Sequence, residues 1–576
     1  MKTRGNTPAW RAPARALRMA AVPVLPLALL AACGGSSDPG LPQLAAASPA
    51  TLKSCSDLAS RITFANTTIT AAAPVDAGKL TVAGKPVRAH CQVTGKMFQR
   101  VSPVDGKNYA IGFEMRLPND WNGRFFYQAN GGIDGSVVTA TGGVNGGSGL
   151  DNALNMGFAV ISSDAGHEAA GGPTFGIDPQ ARLDFGYQAA AKLTPMAKSA
   201  IQTAYGKAPD RSYFGGCSNG GRHTMVAATR MPDQYDGYLV GAPGYNLPKA
   251  AIANIAGAQI YASLASTPGD ISTGFTEAER KLVSKAVLAK CDALDGATDG
   301  LVQDTGACQA AFNLERDVPT CTGARDGSCL SAAQKTGIAK IFSGPTARNG
   351  SRLYASFPYD AGLAGADYGF WEFTAPVLLD SGGVGLIWSA PPENLATFNG
   401  PAFALATDPT TMWERVNATT ALYPESAMSF MTPPNPGNLS AVKQRGGKMM
   451  VYHGTSDAIF SSDDTTTWYD SVRTANNGDA SNFARFYRVP GMNHCSGGPS
   501  TDQFDMLTPL VNWVEKGQAP EGLVASARGA GNAAGANPNV PADWAANRTR
   551  PLCAYPQVAR YNGTGDINSA SSFSCK

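Results

Sequence analysis

The sequence predicts an α/β fold: a mostly parallel sheet with helices on both faces, interrupted by a large insertion. Three observations carry this. Short apolar runs end repeatedly in Gly- or Asp-rich turns, helix-length stretches separate some of them, and residues 245–446 show neither pattern. Taken in order, Arg124-Phe125-Phe126-Tyr127-Gln128 runs into Asn130-Gly131-Gly132, and residues 157–161 run into Ser162-Ser163-Asp164. Residues 211–214 lead into Gly215-Gly216, and 237–240 into Gly241-Ala242-Pro243. Two more runs come late, 448–452 before His453-Gly454 and 483–489 before Pro490-Gly491. Helix-like stretches lie at 184–205 and 221–230. On such sheets ligands sit beyond the carboxyl ends of the strands, where these polar loops fall.

Composition narrows the class. Of 576 residues 43% are hydrophobic and 16% charged, and the 65 glycines and 39 prolines stay under a fifth of the chain, so wholesale disorder is excluded. The net charge of +2 owes more than its whole value to Lys2, Arg4, Arg11, Arg15 and Arg18, which precede any acid. The remainder is slightly acidic without a basic run, which excludes a nucleic-acid footprint.

Those basic residues precede an apolar stretch, 19–32, that is too short to span a bilayer and is broken by Pro23 and Pro26. It reads as an export signal over residues 1–33. Its end, Leu30-Ala31-Ala32-Cys33-Gly34, resembles a bacterial lipobox, with Cys33 as the lipidation site. A flexible tether over 34–50 is expected next. Setting Cys33 aside leaves an even ten of the eleven cysteines, enough for five disulfides in an oxidising compartment. Membrane contact is expected only through the lipid anchor, at the periplasmic side or outer membrane, or none if the chain is secreted. No zinc spacing occurs.

The chemistry concentrates at strand ends. Gly216-Cys217-Ser218-Asn219-Gly220 matches G-x-S-x-G between a β-run and a helix-like segment, the context in which a tight turn presents a serine. A bland alternative is a Ser/Gly turn. A nucleophilic serine needs a base, and only five histidines exist. His90 precedes the sheet core, His223 lies within the following helix, and His167 and His453 at strand ends can bind substrate or bond locally. His494 alone follows the last run, where the α/β-hydrolase order Ser, Asp, His places its base. The acid expected between them is Asp457, in Val451-Tyr452-His453-Gly454-Thr455-Ser456-Asp457; its rivals Asp463 and Asp464 fall further into a helix-like segment. Backbone N–H groups of Asn219 and of Gly132 would form the oxyanion hole.

With those residues in place, the chain resembles the tannase/feruloyl esterase family of serine α/β-hydrolases. The most specific matches are residues 216–222, 452–457 and 490–499, with the closing Arg550-Pro551-Leu552-Cys553 and Cys575. The resemblance implies the disulfides Cys217–Cys495, Cys55–Cys91, Cys291–Cys308, Cys321–Cys329 and Cys553–Cys575. It also implies a structural calcium held by Asp292, Asp295 and Asp299 with main-chain oxygens of Ala297 and Leu301, where the residues alone read as a solvated turn. No organic cofactor is expected. The implied architecture is a hydrolase domain in two parts, 51–244 and 447–576, around a lid domain, 245–446.

The expected substrate is a small-molecule aromatic ester of the feruloyl, galloyl or terephthalate monoester type, cleaved by a monomer. Members of the family that act on terephthalate monoesters hold the free carboxylate with a lid arginine, but residues 373–413 contain no Lys or Arg. Aromatic side chains remain: Phe373, Trp388, Phe398, Phe403 and Trp413 in the lid, and Phe460 as a substrate contact. The competing readings are an inactive lipid-anchored binding protein on the same fold, a peptidase and an acyltransferase.

Overall fold

A computed structural model describes residues 40–143 and 151–576. Its main sheet has nine strands: β1 (Thr67–Val75), β2 (His90–Val101), β3 (Asn108–Pro118), β4 (Arg124–Gln128), β5 (Ala159–Ser163), β6 (Arg211–Cys217), β7 (Gly237–Gly241), β8 (Lys448–Gly454) and β9 (Ala484–Val489). The spatial order is β9-β8-β7-β6-β4-β5-β3-β2-β1. Strands from β9 across to β5 pair in parallel, whereas β3, β2 and β1 continue the sheet antiparallel. The longer helices are α1 (Ala189–Tyr205), α2 (Asn219–Arg230), α3 (Leu247–Leu264), α4 (Glu277–Cys291), α5 (Ala332–Ser343), α6 (Ser462–Thr474) and α7 (Leu507–Lys516).

Parallel strands covered on both faces bury every residue, and alternate side chains enter opposite cores. Phe125, Tyr127, Phe214, Tyr238, Val240 and Val451 face α1, α2 and α6, while Phe126, Tyr213, Leu239, Met450 and Tyr452 face α7. This is the expected α/β architecture. The three antiparallel strands are an addition to it. They escape the apolar-run criterion because β3 buries charge: Arg116 bonds Glu114 at 2.6 Å and His90 Nε2 at 2.7 Å. β5 starts two residues later than expected, after Gly157 turns the chain at φ 94°.

Adjacent strands β7 and β8 are separated by the long insertion, and among the described residues it contributes helices and isolated bridges. Its periodicity is weak because α3, α4 and α5 alternate with short pieces, including three π-helical turns, Phe370–Thr374, Pro376–Asp380 and Gly383–Trp388. One core of the insertion gathers Tyr261, Phe275, Val283, Val287, Ile338, Phe342 and Phe373. Val384, Ile387, Trp388 and Met412 instead join the core of the sheet.

The expected signal segment 1–33 with Cys33 lies outside the described residues. The expected flexible tether, 34–50, needs correction over its second half. Gln43 Nε2 donates to Val514 O at 2.9 Å, Ala47 N–H to Glu515 at 2.9 Å and Ser48 N–H to Asp210 at 2.8 Å. Ala50–Thr51 then pairs with Asp120–Trp121. Leu41 and Leu44 supply the apolar contacts that hold this stretch down.

All five expected disulfides form: Cys55–Cys91, Cys217–Cys495, Cys291–Cys308, Cys321–Cys329 and Cys553–Cys575. Among the described residues no helix is long and apolar enough to cross a membrane.

Candidate active site

Strand β6 ends at Cys217, and Ser218 turns the chain sharply into α2 with φ 66° and ψ −129°. A non-glycine residue at positive φ is costly, so its surroundings must hold it there. They do so by close packing. A Cβ at Gly216 or at Gly220 would come within 2.4 Å of Ala129 O, so only glycine lets strand, turn and helix meet at this distance. The Ser218 N–H donates to Gly241 O at 3.0 Å, fixing the turn to β7.

The structure brings Ser218, His494 and Asp457 into one row. Ser218 Oγ lies 2.8 Å from His494 Nε2, and His494 Nδ1 lies 2.8 Å from Asp457 Oδ2. A carboxylate accepts only, so Nδ1 carries the proton and Nε2 is the acceptor for the Ser218 hydroxyl. Asp457 lies in the turn after β8, where its other oxygen accepts from Ile459 and Phe460 N–H at 3.0 and 3.1 Å. Burial works to raise its pKa, but the charge of His494 and hydrogen bonds from His453 and His494 outweigh that. They hold the carboxyl well below the usual range.

His453, at the end of β8, bonds locally: its Nε2 donates to Asp457 Oδ2 at 3.2 Å and to Phe460 O at 2.9 Å, and Thr465 Oγ1 donates to its Nδ1 at 2.8 Å. His167 donates to Ile133 O at 2.7 Å, and His90 is held by Arg88 O and Arg116. Asp463 and Asp464 lie apart from the row, bonded to Ser356 and to Asn246.

The disulfide Cys217–Cys495 joins the residue before Ser218 to the residue after His494. A second tie comes from the insertion and carries no marker in the sequence. Asp360, fully buried, accepts from Ala361 N–H at 2.7 Å, Gly491 N–H at 2.9 Å, Ser456 Oγ at 3.0 Å and Thr455 Oγ1. Asn493 Nδ2 adds bonds to Gly362 O and Ser456 O. The loops that carry Asp457 and His494 are thus clasped to each other through residues 360–362.

Loop 130–135 passes over the serine. A Cβ at Gly131 would lie 3.7 Å from Ser218 Cβ, and Gly132 follows at φ 63° with open space beside it. Asn130 pins the loop to the end of β5 through Ser163 O at 2.8 Å. Asn219 opens α2, so its N–H has no partner within the helix and is available beside Ser218.

Two rings meet the imidazole edge-to-face: Phe460 with centroids 5.3 Å apart and Trp371 at 5.1 Å. Trp371 is absent from the expected aromatic set, and its indole N–H faces the Asp367 carboxyl. Asp367, one helical turn earlier, lies against the His494 backbone, where burial and then the Asp457 charge raise its carboxyl. Most of the expected lid aromatics do other work. Phe373 packs edge-on to Tyr261, Trp388 enters the sheet core, Phe398 and Phe403 pack on each other, and Trp413 lies beneath Lys249. Of the cations around that block, Arg415 pairs with Glu393 and Arg348 with Asp408, while Arg352 precedes the block most closely.

The acidic turn Asp292–Asp295 follows α4. Asp292, Asp295 and Asp299 are all buried, and Asp295 Oδ2 has no hydrogen-bond partner. Burial, with the charges of Asp299 and Asp292 adding to it, pushes Asp295 up to about 7. Arg550 bonds Asp299, which explains why the Arg550-Pro551-Leu552-Cys553 segment belongs with this turn. Among the described residues no three acidic, His or Cys side chains converge as a metal cluster by themselves. The donors expected here, these carboxylates with the carbonyls of Ala297 and Leu301, are all oxygen, and with one orphaned carboxylate oxygen such a set suits a hard divalent ion.

The tannase and feruloyl esterase family model matches residues 91–576. Mono(2-hydroxyethyl) terephthalate hydrolase of Piscinibacter sakaiensis is 40% identical over 553 residues, covering 89% of each chain. A probable feruloyl esterase B-1 of Aspergillus fumigatus is 30% identical over 489 residues, covering 80% of this chain and 82% of that one. The crystal structure of feruloyl esterase B from Aspergillus oryzae aligns with a TM-score of 0.69 at 25% identity, covering 91% of this chain and 99% of that one.

Proposed function

The chain belongs to the tannase and feruloyl esterase family and is a carboxylic ester hydrolase, and we propose that it cleaves aromatic esters through an acyl-enzyme on Ser218. The observation that carries this is the row Ser218–His494–Asp457 at the ends of three elements of one sheet. Ser218 Oγ attacks the ester carbonyl while His494 Nε2 takes its proton. Asp457 holds the imidazole in the tautomer with Nδ1–H and stabilises its charged form. The tetrahedral oxyanion is met by the N–H groups of Asn219 and Gly132, each worth roughly 10²–10³ in rate in comparable enzymes. His494 returns the proton to the departing alcohol oxygen. In the second half water attacks the acyl-enzyme, its proton passes to His494, and Ser218 leaves with it as the free acid forms.

An aromatic acyl group suits the walls supplied by Phe460 and Trp371. Residues 245–446 act as a lid that brings Trp371 and Asp367 over the imidazole. Calcium at Asp292, Asp295, Asp299 and the carbonyls of Ala297 and Leu301 would stiffen the turn behind α4 without entering the acyl chemistry. Five disulfides support export to an oxidising compartment, and Cys33 would anchor the mature chain. The test is Ser218→Ala in purified protein, assayed on feruloyl, galloyl, benzoyl and terephthaloyl monoesters. Turnover should vanish with the fold unchanged, and retained turnover on any of them refutes the mechanism.

A further inference from the structure

We propose that Asp134 is a positioning residue that holds the two N–H donors of the oxyanion hole in register. The inference rests on the serine mechanism above. Asp134 lies two residues after Gly132, on the loop that crosses Ser218, and adopts φ 58°, a conformation that costs a non-glycine residue energy. Its side chain turns inward and is 2% exposed. One oxygen accepts from Asn219 Nδ2 at 2.8 Å and from His223 Nε2 at 2.8 Å. The first bond joins the loop that carries one proposed donor to the residue that carries the other.

The rest of the cluster fixes Asn219 from its far side. Arg222, wholly buried, donates from Nε to Asn219 Oδ1 at 2.6 Å. Its other nitrogens donate to Phe185 O at 3.1 Å, Gly186 O at 2.9 Å and Met431 O at 3.2 Å. Arg222 Nη2 faces both ring nitrogens of His223, Nε2 at 3.1 Å and Nδ1 at 3.2 Å. A carboxylate only accepts, so Nε2 carries the proton toward Asp134 and Nδ1 is left to accept from Arg222. Arg222 has no carboxylate of its own, so Asp134 balances its charge through Asn219 and His223. The amide of Asn219 is consequently held at both ends, and its backbone N–H cannot rotate away from the serine.

Oxyanion donors act on charge that develops in the transition state, so a loss of register lowers kcat and leaves KM nearly alone. The test compares Asp134→Ala, Asp134→Asn and Asn219→Ala with the native chain. The measurements are kcat, KM, melting temperature, inhibition by a trifluoromethyl ketone that mimics the tetrahedral intermediate, and stoichiometric labelling by a fluorophosphonate. Asp134→Ala is expected to lose about 10²-fold in kcat and a comparable factor in trifluoromethyl ketone affinity, with KM within threefold. Asp134→Asn, whose amide oxygen can still accept from Asn219, should recover most of it. Asn219→Ala keeps its backbone N–H but should lose kcat as Asp134→Ala does, and it decides the matter if Asp134→Ala fails to fold. Native kcat in a folded Asp134→Ala or Asn219→Ala chain overturns the proposal, as does an equal loss of substrate and ketone affinity. Failure of the native chain to be labelled at Ser218 would instead refute the serine mechanism itself.

Discussion

Asp360 accepts a hydrogen bond from the Gly491 N–H at 2.9 Å, so a residue of the insertion holds the loop that carries His494. The same carboxylate holds Thr455 and Ser456, which precede Asp457. Replacing it with alanine leaves several buried donors unpaired, each costing about 1–3 kcal/mol. Asp360→Ala is expected to lower the melting temperature by several degrees and kcat by more than tenfold, and Asp360→Asn to do less of both. Thermal melts and kcat of the folded fraction check this; unchanged kcat would show that the base loop keeps its place without the clasp.

The Cys217–Cys495 disulfide closes 278 residues of sequence separation, and in the chain-entropy picture such a cross-link contributes up to about 5 kcal/mol. It also sets the spacing of Ser218 and His494 directly. The paired variant Cys217→Ala/Cys495→Ala is expected to melt earlier and to lose kcat by roughly tenfold or more at temperatures where it is still folded. A parallel pair at Cys553 and Cys575, far along the chain from both residues, should lose stability alone. Equal kcat losses in the two pairs would argue against a role in spacing.

Much of the site is legible because its chemistry lies where apolar runs stop. Ser218, Asp457 and the loop of His494 each follow a strand whose burial on both faces writes a mostly apolar run, interrupted in the last by Arg485 and Arg488. The contributions from the insertion are not legible in this way. Asp360 sits in an ordinary Tyr359-Asp360-Ala361 stretch, and only the folded chain shows the donors converging on it. Trp371 differs from the other lid aromatics in no local property; the fold turns it toward His494 and sends Phe373, Trp388 and Trp413 into packing. Likewise β3 hides from a hydrophobic criterion because it buries the pair Glu114–Arg116 rather than alternating cleanly.

Metal removal tests the acidic turn. Chelation of the native protein is expected to lower its melting temperature, with calcium restoring it and magnesium doing so less well, because the site offers many oxygens and little rigidity. Asp295→Ala should abolish that calcium response. Activity at low temperature should change little, since the turn stands apart from Ser218. The readouts are calorimetry and bound-metal content; no response in either removes calcium from the account.

Asp367 places a second carboxyl near His494 and Asp457. Its pKa is raised, so the carboxyl is ionised only toward higher pH, and there an anionic acyl group, such as that of a terephthalate monoester, meets repulsion that a neutral ferulate ester does not. Asp367→Asn is expected to raise kcat/KM for the terephthalate monoester several-fold relative to a neutral ester of the same alcohol. A ratio unchanged from the native chain would mean that the carboxyl is turned away from the acyl pocket.

Asp380, in the π-helical turn Pro376–Asp380, is 5% exposed and accepts from Asn254 Nδ2 at 3.1 Å. Burial pushes its carboxyl up to about 7, against an ordinary value near 3.8. The folded chain therefore keeps this proton at a pH where the unfolded chain has released it. Stability from this group is full below about pH 4, falls as pH rises toward 7, and is lost above it. Asparagine cannot ionise and can still accept from Asn254, so Asp380→Asn should match the native chain near pH 4 and exceed it in melting temperature at pH 8. Because the turn packs on α3, the gain should appear as slower hydrogen exchange in the insertion at pH 8. A stability difference that does not grow between pH 4 and pH 7 would mean that Asp380 is ionised in the folded chain and paired in a way that this structure does not contain.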